Sequence, residues 1–173
     1  MVNAMRAAWL FPCMLLLSAF PRPAPAAECQ TLPPKIEHFI RAFAQERGGS
    51  EDCQFRQSAR GDIGADGVDD FVVIFHIDGA CHTDQTAVSG ACKNDAEEYL
   101  KVFLGKPLNE GPILALGTPG RREIQSLRID DGAIIANTLK RRESDARGHP
   151  SIQSQSRFTV QGGAIVEEED FRE

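Results

Sequence analysis

Residues 61–77 read Gly61-Asp-Ile-Gly-Ala-Asp-Gly-Val-Asp-Asp-Phe-Val-Val-Ile-Phe-His-Ile77, and the change of composition at Asp70 decides the fold. Ahead of it lies a glycine- and aspartate-rich turn. Behind it, Phe71 to Ile77 is apolar on both faces of a two-residue period until His76. A strand exposed to water on one side alternates apolar and polar residues, so this run predicts a central strand covered on both sides.

Working outward, short apolar runs separated by turn residues predict further strands. Leu100, Val102 and Leu104 interleave with Tyr99, Lys101 and Phe103. Ile113 to Leu116 is a brief apolar run. Gln125, Leu127 and Ile129 pair in sequence with Ile134, Ile135 and Leu139 around Asp131-Gly132, a hairpin dipeptide because both central residues of such a turn need positive φ. Phe158 and Val160 lead through Gly162-Gly163 into Ala164 to Val166, a second hairpin. The charged stretch from Lys140 to Ser156, broken by Gly148 and Pro150, reads as a loop. Before all of these, Ile36, Phe39, Ile40, Phe43 and Ala44 recur at helical spacing from Pro34, with prolines at the start and Gly48-Gly49 at the end. The expected class is α+β: one N-terminal amphipathic helix packed on a mostly antiparallel sheet of about six or seven strands. The helix stripe needs an apolar partner, and the open face of that sheet is the expected one.

The N-terminus has the parts of an export signal: Arg6, an apolar run from Ala7 to Phe20, and a small-residue stretch ending at Ala26. The apolar run is shorter than the roughly 20 residues that span a bilayer, and Pro12 interrupts it. Residues 1–26 are therefore expected to be a cleaved signal peptide, and 27–173 a single β-rich domain, periplasmic or secreted, with no membrane span after cleavage. Losing Arg6 and Arg22 takes the formal charge from −6 to −8, and no basic stripe suits a nucleic acid. Cleavage also removes Cys13. The remaining Cys29, Cys53, Cys81 and Cys92 predict disulfides, with neighbours paired: Cys29 to Cys53 and Cys81 to Cys92.

Chemistry concentrates in the turn. Asp62, Asp66 and Asp70 stand four residues apart, with Gly67 after the second. Hard oxygen ligands converging from loop positions 1, 5 and 9, with a backbone carbonyl at Val68, would suit Ca²⁺. The alternative is a metal-free turn in which the same carboxylates accept hydrogen bonds from nearby N–H groups. This segment resembles the Asp-x-Asp-x-Asp-Gly-x-x-Asp loops of FG-GAP and related repeats. It resembles more closely a group of small exported bacterial proteins of uncharacterised function, in which such a loop runs into a Val-Val strand. Tyr99 to Leu104, the Gly117-Thr-Pro-Gly-Arg turn and Ile129-Asp-Asp-Gly extend the similarity over roughly residues 55 to 168. The resemblance implies a structural calcium loop with Asp62, Asp66, Asp70 and the Val68 carbonyl as ligands, and implies no reaction; a ligand missing at position 3 would make its affinity low. Position 3, usually Asp or Asn, is Gly64. An EF-hand is excluded because its twelfth position would be Val73 instead of Glu.

Other constellations are weaker. Four aspartates among the glycines at 61, 64 and 67 would repel a phosphate. His76, Cys81 and His82, with Asp78 and Asp84, match no zinc spacing. His38 and His149 have no evident partner in sequence. Arg121, Arg122, Arg141 and Arg142 suggest a solvated rim or a small anion patch. Neither Gly-x-Ser-x-Gly nor His-Glu-x-x-His occurs. The sequence thus leads to an exported, non-enzymatic protein that binds an envelope protein or a wall-associated ligand. An inhibitor or immunity protein acting on a secreted cell-wall hydrolase is one alternative, and a metal-assisted hydrolase using the aspartate loop is another.

Overall fold

A computed structural model describes residues 29–79, 96–117, 122–146 and 149–169. The expected signal peptide, Cys81, Cys92, His82, Asp84 and Arg121 lie outside the described residues. Among the described residues one helix, α1 (Pro34–Glu46), precedes eight strands: β1 (Ser50–Gly61), β2 (Asp70–Asp78), β3 (Ala96–Leu104), β4 (Asn109–Gly117), β5 (Arg122–Asp130), β6 (Ala133–Lys140), β7 (Ile152–Gln161) and β8 (Ala164–Glu169). They form two four-stranded sheets in sequence order, β1-β2-β3-β4 and β5-β6-β7-β8, antiparallel throughout. The α+β class holds. The expectation of six or seven strands in one sheet is corrected to eight strands in two.

The doubly apolar β2 is the key to the layering. Val73, Phe75 and Ile77 point toward α1 and share a core with Ile36, Ile40, Ala44, Tyr99 and Phe103. Val72 and Ile74 point the other way, into a core with Leu100, Val102, Ile124, Ile134, Ala136, Phe158 and Ile165 from both sheets. The order is therefore helix, first sheet, second sheet, with β2 and β3 buried on both faces. The helix stripe packs where expected. Ile36, Ile40 and Ala44 are buried, and Phe39 and Phe43 meet Phe103, Phe75 and Tyr99 edge-on at 4.9–5.8 Å, a preferred aromatic geometry. Proline opens the helix at its first turn, where its missing N–H costs no bond, and Gly48 follows the C-terminus at φ 72°.

Strand β1 carries few apolar residues, so periodicity passes over it. Pairing with β2 holds it in place, and its register shifts between Asp52 and Gln57. The Cys29–Cys53 disulfide forms as expected, with Cα atoms 5.3 Å apart, and ties the chain ahead of α1 to this irregular segment. Beside it Arg56, 8% exposed, bonds Glu51 at 2.6 and 2.8 Å, Glu37 at 2.6 and 3.2 Å, and the Gln30 carbonyl at 2.6 Å. A buried guanidinium needs this degree of pairing to offset its lost hydration. Its hydrogen bonds to Glu51, then those to Glu37, raise its pKa against the opposing effect of burial. Disulfide and arginine together clamp the start of the helix onto β1.

Both hairpin turns adopt the backbone that their residues predict. Asp131 has φ 45° and Gly132 φ 70°, and Gly162 and Gly163 have φ 58° and 81°.

Candidate functional site

The aspartate loop spans the gap between β1 and β2, at the end of the first sheet nearest the β5–β6 hairpin. Asp62 accepts the Asp66 N–H on Oδ1 at 2.9 Å and the Gly67 N–H on Oδ2 at 2.7 Å. Asp66 Oδ1 accepts the Val68 N–H at 2.9 Å. These are side-chain turns of the kind Asp favours, and they leave Ala65, at φ 58°, and Gly67 in left-handed backbone. Asp70 does a different job. It is 2% exposed, and its two oxygens accept the N–H groups of Ile63 and Gly105, each at 2.8 Å. One carboxylate thereby joins the loop to the turn after β3.

The loop also docks on the second sheet. Ile63 forms a parallel bridge with Gly132, and the Gly64 N–H donates to the Gly132 carbonyl at 3.1 Å. At the same corner a Cβ on Gly61 would lie 3.0 Å from Ile129 Cβ, so glycine is what allows β1 to close on β5. The loop is a joint between the sheets. The carboxylates of Asp62, Asp66 and Asp70 face backbone donors, Asp69 faces Arg60 and Lys106, and among the described residues no three His, Cys, Asp or Glu side chains gather to hold a metal. The donor set forms a turn locked by its own N–H groups, with two N–H bonds on Asp62, one on Asp66 and two on Asp70.

Several ionisable side chains of β2 and β3 are tied to partners. His76 and Glu98 face each other across β2 and β3 with Nε2 to Oε1 at 2.8 Å, both nearly buried, and Phe55 stacks on the imidazole at 4.7 Å. Tyr99 donates to Glu97 and accepts from Arg47 at 3.3 Å. Burial first, then Glu97, raises the Tyr99 pKa. Lys101, 4% exposed, donates to the Gly111 carbonyl at 2.6 Å and lies 4.4 Å from the centre of the Phe39 ring. Burial lowers its pKa, opposed by Glu110.

Arg121 of the suggested anion patch lies outside the described residues, and the other three arginines divide between two places. Arg122 is committed to Glu167 and to the Leu116 carbonyl at 3.2 Å, while Arg141 and the Arg142 N–H bind Asp145.

What sequence reasoning missed lies on the outer face of the second sheet. Gln125, Ser126, Asn137, Gln153 and Gln155 line an open groove of about 460 Å³, and every residue along it is Gln, Asn, Ser or Thr. Ser126, Asn137 and Gln155 are cross-strand neighbours on β5, β6 and β7. Asn137 Nδ2 donates to Ser126 Oγ and Gln155 Nε2 to Asn137 Oδ1, both at 2.8 Å. The signal was present in Ser151-Ile-Gln-Ser-Gln-Ser156, an alternating amide and hydroxyl run in a segment assigned to loop.

No family model, curated protein or solved structure matches this chain.

Proposed function

We propose that this chain is an exported binding protein: residues 1–26 direct it out of the cytoplasm and are removed, and the outer face of β5–β8 recognises an envelope component. The observation that carries the reading is the groove on that face, lined wholly by amides and hydroxyls. Such groups recognise through hydrogen bonds but supply neither a nucleophile activated by a base nor an acid–base pair. The closed pairing of Arg56, His76, Glu98 and Asp70 supports the same reading, because each of these side chains serves the fold. The Cys29–Cys53 bond supports export, since disulfides persist in oxidising compartments.

The test takes protein recovered from the producing cells. Intact mass and N-terminal sequencing should give a chain that begins at Ala27 with Cys29 and Cys53 oxidised. Co-sedimentation with isolated envelope fractions should be saturable. A full-length chain with free thiols, or no saturable retention on any envelope fraction, would overturn the proposal.

A further inference from the structure

We infer that the groove on the outer face of β5–β8 is a site for an uncharged glycan chain. This inference deepens the binding reading above and rests on it.

The lining selects the ligand class. An apolar ligand would strip water from the amides and return no hydrogen bond, a cost of a few kcal/mol for each group. A charged ligand would find no counter-charge among the residues that line the groove. A sugar hydroxyl both donates and accepts, and so does a primary amide or a side-chain hydroxyl. The internal bonds Gln155 to Asn137 and Asn137 to Ser126 align these groups without exhausting them. The Ser126 O–H, the second N–H of Asn137 and of Gln155, and the Gln155 carbonyl remain to bond a ligand, and Gln125 and Gln153 add two further amides.

Spacing points the same way. The row crosses three strands in register, so its members step by roughly 4.8 Å, close to the repeat of a β-linked pyranose chain. The groove lies within the ~300–1,000 Å³ typical of ligand clefts, enough for a short run of sugars. It also sits on a sheet face, where side chains are presented. An extended peptide would instead seek the unpaired backbone of an edge strand. One register step away, Ile135 stands between Arg128 and Arg157, and Arg157 faces Glu168, so a charged row bounds the neutral track on that side.

The probe is a neutral oligomer of N-acetylglucosamine, titrated into the isotopically labelled, oxidised protein. Saturable shifts are expected at the side-chain amides of Asn137, Gln155 and Gln153. The double variant Asn137→Ala, Gln155→Ala should weaken binding about tenfold, the equivalent of one or two neutral hydrogen bonds. Gln125 and Ser126 are exposed, and Asn137 and Gln155 are half-exposed, so an unchanged melting temperature would confirm an intact fold. No saturable shift up to the solubility limit, or binding that the double variant leaves unaltered, would overturn the inference. Tighter binding of a uronic-acid oligomer than of the neutral one would also overturn it. Retention on envelope fractions separates the two claims. If the double variant is retained as well as the parent, the groove assignment fails and what stands is export with envelope binding through another surface; if neither is retained, both readings fail.

Discussion

Replacing Asp70 with alanine tests what the aspartate loop is for. The carboxylate is 2% exposed and accepts two N–H groups at 2.8 Å, from Ile63 within the loop and from Gly105 beyond β3. Removing it orphans two donors, each worth ~1–3 kcal/mol when left unsatisfied inside a protein. Gly105 is only half-buried, so water can rescue part of its share, whereas Ile63 is buried. Relief of the carboxylate's own desolvation offsets a further part. The net expectation is a loss of about 3 kcal/mol, a large fraction of the ~5–15 kcal/mol stability of an ordinary domain. Asp70→Asn should fall between, because its single carbonyl oxygen satisfies one donor while its NH₂ opposes the other. The assay is urea unfolding of the oxidised protein, once with chelator and once with excess Ca²⁺. If backbone donors are the partners of Asp70, the loss is the same in both. A loss below about 1 kcal/mol with chelator, growing only when Ca²⁺ is added, would refute the hydrogen-bonded joint and restore the calcium site implied by the resemblance to FG-GAP loops.

Asp66→Ala, at an exposed position with one local hydrogen bond, should cost no more than about 1 kcal/mol in the same assay. Phe75→Ala empties the centre of the helix-facing core and should lower stability by ~3–5 kcal/mol, read as a fall in the urea midpoint. Cys29→Ser with Cys53→Ser opens a loop of 24 residues' separation, and should cost ~3 kcal/mol on the chain-entropy model, an effect that vanishes under reducing conditions. Lys101 titrates below its ordinary value of 10.5 because it is buried. Between its folded pKa and 10.5 the unfolded chain binds more protons, so this group makes stability rise with pH through that window. Lys101→Met should be neutral to about 1 kcal/mol more stable near pH 7, with the rise removed, as urea curves at several pH values would reveal. Tyr99 has the opposite sign: its pKa is raised, so its contribution is intact below pH 10 and lost as pH climbs beyond that.

Much of the fold was legible because it depends on local rules. The stripe Ile36, Ile40 and Ala44 specifies a helix and its buried face. Asp131-Gly132 and Gly162-Gly163 specify hairpins because few other residues tolerate that backbone. Val72 to Ile77, apolar at odd and even positions, requires cover on both faces. The identity of that cover was not legible. A two-residue period tells which side chains share a face but carries no label for what lies against it, so α1 on one face and a whole second sheet on the other emerged only when the chain closed on itself. Strand β1 escaped notice for a related reason: Arg56 reads as a surface charge until Glu37, from the helix, and Glu51, brought round by the register shift within β1 itself, surround it.

The aspartates mark the same boundary. Their spacing identifies a tight, oxygen-rich turn ahead of a buried strand, and that is what forms. Asp62 and Asp66 find their N–H partners inside the turn, at Asp66, Gly67 and Val68, whereas the second oxygen of Asp70 waits on Gly105, and the docking of the loop waits on the Gly132 carbonyl, both far along the sequence. Likewise, Ser126, Asn137 and Gln155 look like scattered polar residues until antiparallel register sets them side by side. Local periodicity, backbone preference and the internal bonds of the aspartate turn were thus settled by the sequence itself, while the Gly105 partner of Asp70 and the alignment of Ser126, Asn137 and Gln155, and hence the candidate site, were decided by long-range register that only the tertiary structure supplies.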